Sequence, residues 1–179
     1  MAPVPASSVT TVVTPGPPVV VAVRELSRLE TAEFRMERVI DLRERQHRLG
    51  GLLEADDTIL LVAAARVSAG VDLRALDPKA VRVDRDGKRV RLTLPAPQIF
   101  EASLDNDRTY VHARDTDLLA DRAESLETRA RKEAEKTLRD AALEAGILKV
   151  ARGNAERTVS SLLRSLGFVD VAVEFEKSP

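Results

Sequence analysis

The fold is decided by residues 121–146, DRAESLETRARKEAEKTLRDAALEAG, and by residues 147–167, ILKVARGNAERTVSSLLRSLG. In both stretches apolar residues recur three and four positions apart, and this spacing places them on one face of a helix. Asp121 with Glu124 resembles a helix-capping pair, while Gly146 and Gly167 are suited to end the two helices. We therefore predict a helical pair with two apolar stripes: Leu126, Ala130, Ala134, Leu138 and Ala141, then Leu148, Ala151, Ala155, Val159, Leu162, Leu163 and Leu166.

Alternating patterns on both sides of the helical pair predict strands. After the helices, residues 169–176 alternate apolar and polar, which predicts a closing strand. Before them, the apolar run at residues 58–67 is typical of a central strand, and two short alternating stretches around the turn at residues 85–88 predict a β-hairpin. The predicted class is therefore α+β, with an antiparallel-rich sheet followed by two helices and a closing C-terminal strand. Further short strands are expected at residues 99–104 and 109–113.

Residues 20–48 allow two interpretations. Val23, Leu26 and Leu29 suit a helix, and the alternation that begins near Phe34 suits a strand with one solvated face. We favour a short helix followed by a strand. One long helix is the alternative, because five residues of this stretch also follow helical spacing: Leu29, Ala32, Met36, Val39 and Ile40.

The length and composition indicate one folded domain. Residues 1–18 are rich in Pro, Ser and Thr and read as a flexible linker or tail, so the single domain is expected at residues 19–176. The chain has 28 basic and 29 acidic residues, no cysteine and 3% aromatic residues. Because the net charge is −1 and stacking surfaces are scarce, no nucleic-acid partner is expected. Thiolate chemistry is excluded, and we expect no cofactor.

A set of short motifs in a fixed order resembles a known bacterial family. The motifs include Ala69-Gly70-Val71-Asp72-Leu73, Leu94-Pro95-Ala96-Pro97, Leu104-Asp105-Asn106, Arg114-Asp115-Thr116 and Leu166-Gly167-Phe168. Together they span about residues 19–175, and the chain resembles the family catalogued as domain of unknown function 4230. One departure is Asp117, where the family commonly has glycine after Arg-Asp-Thr.

The resemblance implies a location rather than an activity. Members of this family have no established activity and no assigned catalytic residues. They usually carry an N-terminal hydrophobic segment that tethers the domain outside the cytoplasm, so the resemblance implies an extracytoplasmic, membrane-tethered protein. The longest apolar run near the start of this sequence, residues 19–23, is too short to be that segment.

Two polar motifs supply a candidate binding site. Asp105 and Asn106 lie in one motif and Arg114 and Asp115 in another, and together they offer carboxylate, amide and guanidinium groups to a small ligand. A metal site is disfavoured here because the acidic residues lack the EF-hand pattern. His47 and His112 are the only histidines and do not have the spacing of metal ligands, so we predict no metal site.

The predicted hairpin carries the clearest local excess of charge. Its five basic residues outnumber Asp84 and Asp86 and are candidates for contact with an anionic membrane surface. A solvated basic face is the commoner outcome of such a pattern. The five are Arg82, Arg85, Lys88, Arg89 and Arg91.

The absence of a catalytic pattern favours a role in binding. Whether the protein is an enzyme stays open, but we favour a non-enzymatic envelope domain that acts by protein or surface contacts. The alternative is a small-ligand binder or enzyme that uses a polar pocket near Asp105, Asn106 and Arg114. Expected partners are another envelope protein or a second copy of the chain, because the alanine-containing helix stripes also suit contact with another subunit.

Overall fold

The computed structural model describes residues 19–48, 53–74, 76–84, 86–118, 120 and 124–177. These residues form an α+β domain, as the sequence predicts. In chain order the elements are α1 (Val19–Arg24), β1 (Arg28–Arg48), β2 (Leu53–Asp72), a 3₁₀ turn (Pro78–Ala80), β3 (Val81–Val83), β4 (Arg89–Leu94), β5 (Gln98–Leu104), β6 (Tyr110–Thr116), α2 (Leu126–Glu144), α3 (Ile147–Ser165) and β7 (Asp170–Phe175).

The larger sheet is built on a long antiparallel ribbon of β1 and β2. At about 3.3 Å per residue, the 21 residues of β1 extend roughly 70 Å. β2 is also paired on its other side, where its first half binds β6 and its second half binds β5. Among the described residues β1 pairs only with β2, so it forms one edge of this sheet.

The smaller sheet joins the predicted hairpin to the end of the chain. β3 and β4 pair antiparallel, and β7 adds to β4 in a parallel register from Arg89 opposite Asp170 to Leu94 opposite Phe175. α3 supplies the connection that a parallel strand requires, since it carries the chain back across the domain. The closing strand therefore completes a second sheet, separate from the ribbon.

Two helices cover one face of the ribbon and divide the core into zones. α2 packs Leu126, Ala130, Ala134 and Leu138 on the buried face of the middle of the ribbon, with Ile40, Ile59 and Leu61. α3 continues the layer and, with α1, buries the apolar side of the smaller sheet. Alanine at repeated contact positions lets the helix backbone approach the strands closely. The sheet residues of that second zone include Val90, Leu92 and Leu94.

Several helix and strand boundaries in the structure differ from those that the sequence predicts. Residues 19–48 form a helix followed by a strand, and the central strand is twice as long as the apolar run at 58–67. α2 begins at Leu126 without a side-chain cap at Ser125, while Asp121 of the predicted capping pair lies outside the described residues. Its last buried residue is Ala142 rather than Ala141. Gly146 and Gly167 have positive φ, as helix-ending glycines do.

Candidate functional site

Asp57 is the most deeply buried charged group in the described part of the chain. It lies on the helix-covered face of β2, in line with Ala55 and Ile59, and is fully buried. The guanidinium of Arg114 donates to both carboxylate oxygens at 2.6 and 3.2 Å, and the Thr116 hydroxyl donates to Oδ1 at 2.8 Å. The hydrogen bond to Asp57 raises the pKa of Arg114 above its ordinary value. These contacts join β2 to β6.

The four predicted binding residues lie in two places. Asp105 and Asn106 lie in the turn after β5, where the Asp105 amide donates to the Ala64 carbonyl. Arg114 lies opposite Ile59, which is five residues before Ala64 in β2. At roughly 3.3 Å per residue, these two positions on β2 are about 17 Å apart. Asp115 is exposed beside Arg114. The structure thus separates the two motifs along one strand, and a ligand site formed by them stays a prediction.

A cleft at Asp105 contains residues that the sequence did not single out. It holds about 440 Å³, and its polar lining includes Arg35, Arg66, Arg108 and Glu37 as well as Asp105. Arg108 forms an ion pair with Glu37 of β1 across the cleft. The sequence motifs predict a pocket at Asp105 but not the rest of this lining, because its residues come from two strands and a turn.

The basic residues of the hairpin share their surface with acidic residues. Arg89 pairs with Asp84 at 2.7 Å, and Arg91 approaches Glu174 of β7 at 3.7 Å. Arg82 lies opposite Arg91 on the neighbouring strand, and Lys88 is exposed at the turn, whereas Arg85 lies outside the described residues. The parallel addition of β7 brings Asp170 and Glu174 to this surface, and the hairpin sequence alone does not reveal them.

The face of the ribbon opposite the helices carries an exposed apolar row. Val39, Val62 and Tyr110 lie directly opposite one another on β1, β2 and β6, and directly opposite residues point to the same face. Val39 is 57% exposed and Tyr110 54% exposed. His112, which we predict not to bind a metal, lies beside Tyr110 with the ring centres 6.5 Å apart. His47 lies far along β1, near Glu54.

The outer edge of β1 is the other unusual surface. From Glu33 to Arg45, which we term the β1 edge, no hydrogen bond joins an outward backbone group to another element among the residues described. Before this stretch, the edge is covered at Thr31, a bulge residue whose carbonyl accepts from the Asn154 amide at 2.6 Å. The hydroxyl of Thr31 in turn donates to the Ala151 carbonyl of α3.

Asp72 at the end of β2 provides a test of local electrostatics. Arg74 donates two side-chain hydrogen bonds to its carboxylate, and these lower its pKa from 3.8 to about 2. A depressed pKa means that this contact stabilises the fold above pH 3.8 and is lost as the pH falls towards 2. Carboxyl carbon shifts of Asp72 followed by NMR should titrate near 2 and return towards the ordinary range in Arg74→Ala. A midpoint in the ordinary range in the unmodified chain would contradict this contact.

The charged groups described above lie mostly at the surface, and the ion pair of Asp57 with Arg114 is buried. Within the described ranges, no group of three or more His, Asp or Glu residues is arranged to hold a metal ion. No helix among those residues is long and apolar enough to cross a membrane. The arrangement of the described residues defines a class: an α+β domain with a helix-covered ribbon, a small second sheet and a long edge strand, β1.

The family of the chain follows from comparison with known proteins. The family model described as protein of unknown function (DUF4230) matches residues 22–173. The match covers most of the 179 residues, and the chain belongs to this family. No curated protein and no solved structure matches it.

Proposed function

We propose that this chain is a non-enzymatic domain of the cell envelope that acts through contacts with other proteins. The observation that carries the proposal is the β1 edge together with the uncovered face of the ribbon. Unpaired strand edges offer a row of backbone donors and acceptors to another chain. The envelope location is proposed from the family resemblance.

The uncovered face has the composition of a protein interface. Its centre is the apolar row of Val39, Val62 and Tyr110, and charged side chains flank that row on both sides along the strands. Interfaces between proteins combine such an apolar centre with a polar rim, and tyrosine is enriched in them. Arg35, Arg66, Asp41 and Arg43 lie on the rim.

The charge of the smaller sheet favours protein contacts over an anionic membrane. Two of its four described basic residues pair with carboxylates, and two further carboxylates lie on the same sheet and turn, so much of the positive charge is compensated. Polybasic segments bind anionic lipid by about 1 kcal/mol per uncompensated basic residue, and compensation removes most of this attraction. The basic residues are Arg82, Lys88, Arg89 and Arg91, and the acidic residues are Asp84, Asp86, Asp170 and Glu174.

Site-specific photo-crosslinking of the native protein in its own cells tests the proposal. We expect a photo-reactive amino acid in place of Arg35, on the β1 edge, to give discrete cross-linked protein species. The matched control is the same substitution of exposed Lys149 on α3, which should give much less product. Equal or absent crosslinking at both positions would contradict a protein-contact role for this surface.

The location is tested separately with a reporter enzyme. A β-lactamase fused behind the last residue of the native protein should confer ampicillin resistance, because that enzyme protects cells only outside the cytoplasm. If a strain that makes the intact fusion is still sensitive to ampicillin, the envelope location is wrong. The crosslinking experiment then tests the protein contacts on its own.

A further inference from the structure

We infer that the partner on the β1 edge is a second copy of this chain, bound antiparallel to the first about a two-fold axis at Arg38. This inference rests on the proposed role of the β1 edge in protein contacts. It adds the identity of the partner and the register of the two strands. The paired ribbons would form one continuous sheet with the helices of both copies on the same side.

The geometry of an antiparallel strand pair restricts the possible registers. In a symmetric pair, directly opposite residues share a face, so the axis must pass through a residue that lies opposite itself. Each choice of central residue then fixes every other pair. Only charge and side-chain size distinguish these choices.

An axis at Arg38 places opposite charges face to face on the solvent side. Glu33 of one copy then lies opposite Arg43 of the other, and Arg35 lies opposite Asp41. Symmetry repeats both pairs, which gives four favourable pairs along one seam, each of the kind that stabilises antiparallel strands. Arg35 and Arg43 are 71% and 58% exposed, so each guanidinium has room for a second carboxylate beside its partner in its own chain.

The same register matches apolar residues on the helix side. Phe34 lies opposite Leu42 and Met36 opposite Ile40 of the other copy. Phe34, Met36 and Leu42 are only half-buried in the single chain, although they lie on its helix-covered face. Pairing would cover them further. The cost of the register is the approach of two exposed Arg38 side chains at the axis.

Neighbouring registers bring like charges together. With the axis at Val39, Arg35 lies opposite Arg43 and Glu37 opposite Asp41. With the axis at Glu37, Glu33 lies opposite Asp41, and Glu37 lies opposite itself as Arg38 does in the favoured register. Because like charges directly opposite each other are destabilising, the charge sequence of β1 selects Arg38 from its neighbours.

α2 leaves space for this pairing, and α3 reaches the edge of β1 by a hydrogen bond at Thr31, outside the stretch that carries the opposed charges. α2 contacts β1 and β2 to the same extent, which places its axis over the boundary between these strands. With strands about 4.8 Å apart, the α2 helices of the two copies would lie roughly 10 Å apart across the seam. This is the usual separation of packed helices.

The first test is the mass of the purified full chain in solution. Sedimentation at increasing concentration should show a monomer–dimer equilibrium. Arg35→Glu should raise the dimer Kd at least about tenfold, since it turns two attractive pairs into repulsive ones. Lys132→Glu, an exposed residue of α2 on the side that faces β5 and not β1, is the matched control and should leave the Kd within threefold.

A charge exchange tests the register. The double substitution Arg35→Glu with Asp41→Arg recreates both opposite-charge pairs in the symmetric dimer, so it should restore the Kd to within about threefold of the original value. Circular dichroism of each variant verifies that it is folded. A chain that stays monomeric at all concentrations, or a double variant no tighter than the single one, overturns the inference.

A single introduced cysteine tests the axis independently. The chain has no cysteine, and residues opposite each other in an antiparallel pair have Cα atoms within disulfide range. Under mild oxidation, Arg38→Cys should form a covalent dimer and Arg45→Cys should not, because position 45 lies far from the axis. Crosslinking in cells to another protein, combined with a dimer-free purified chain, would leave the proposed function standing and refute self-association.

Discussion

Replacing Asp57 by alanine is expected to lower the free energy of unfolding by about 3–5 kcal/mol. The substitution removes the carboxylate that accepts both Arg114 hydrogen bonds and the Thr116 hydroxyl. Arg114 is left with a charge in a largely covered position, with a side chain only 13% exposed. An uncompensated buried charge is much more costly than the net contribution of the pair that it replaces.

Urea denaturation at neutral pH measures this loss of stability. Two further variants serve as its control and as a test of its cause. Asp115→Ala removes an exposed carboxylate of the same strand region and should change stability by less than about 0.5 kcal/mol. The double variant Asp57→Leu with Arg114→Met should recover much of the loss, because it replaces the whole pair by apolar groups. If Asp57→Ala is as mild as Asp115→Ala, the ion pair does not hold β6 to β2 as described.

The buried position of Asp57 illustrates what the sequence reveals and what it hides. Before a strand, Asp56 and Asp57 read naturally as turn residues. Yet Asp57 is in phase with Ile59 and Leu61, and this period-two signal marks it as a residue of the covered face. What the sequence does not provide is the partner, because Arg114 comes from a strand 57 residues later.

The helices and the hairpin were predictable because their signals are local. The stripe of Leu126, Ala130, Ala134 and Leu138 is set by helical spacing alone, and all four are buried. The length of β2 and the parallel addition of β7 to β4 are different, because they depend on which strands meet after folding. The other residues that line the cleft at Asp105 and the carboxylates that β7 brings to the hairpin surface were missed for the same reason.

The glycine at position 70 belongs to a motif of the family, and the structure gives it a packing reason. Here β1 has its bulge, and the two strands approach so closely that a Cβ atom on Gly70 would lie less than 3.0 Å from Leu29 O, Glu30 Cα and Phe100 Cε2. Two of these atoms belong to the backbone of β1 and cannot rotate away.

We expect Gly70→Ala to destabilise the fold by at least about 3 kcal/mol, at the upper end of the range for overpacked sites. The added methyl group must push β1 away from β2 or shift the Phe100 ring, against which the Arg28 guanidinium stacks at 4.1 Å. Gly153→Ala is the matched control, because a Cβ there meets no atom within 4 Å and the site lies inside α3. That variant should gain about 0.5–1 kcal/mol from helix propensity. The melting temperature and the free energy of unfolding should therefore fall in Gly70→Ala and rise in Gly153→Ala. Equal effects in the two variants would mean that β1 and β2 can separate at Gly70 without loss of stability.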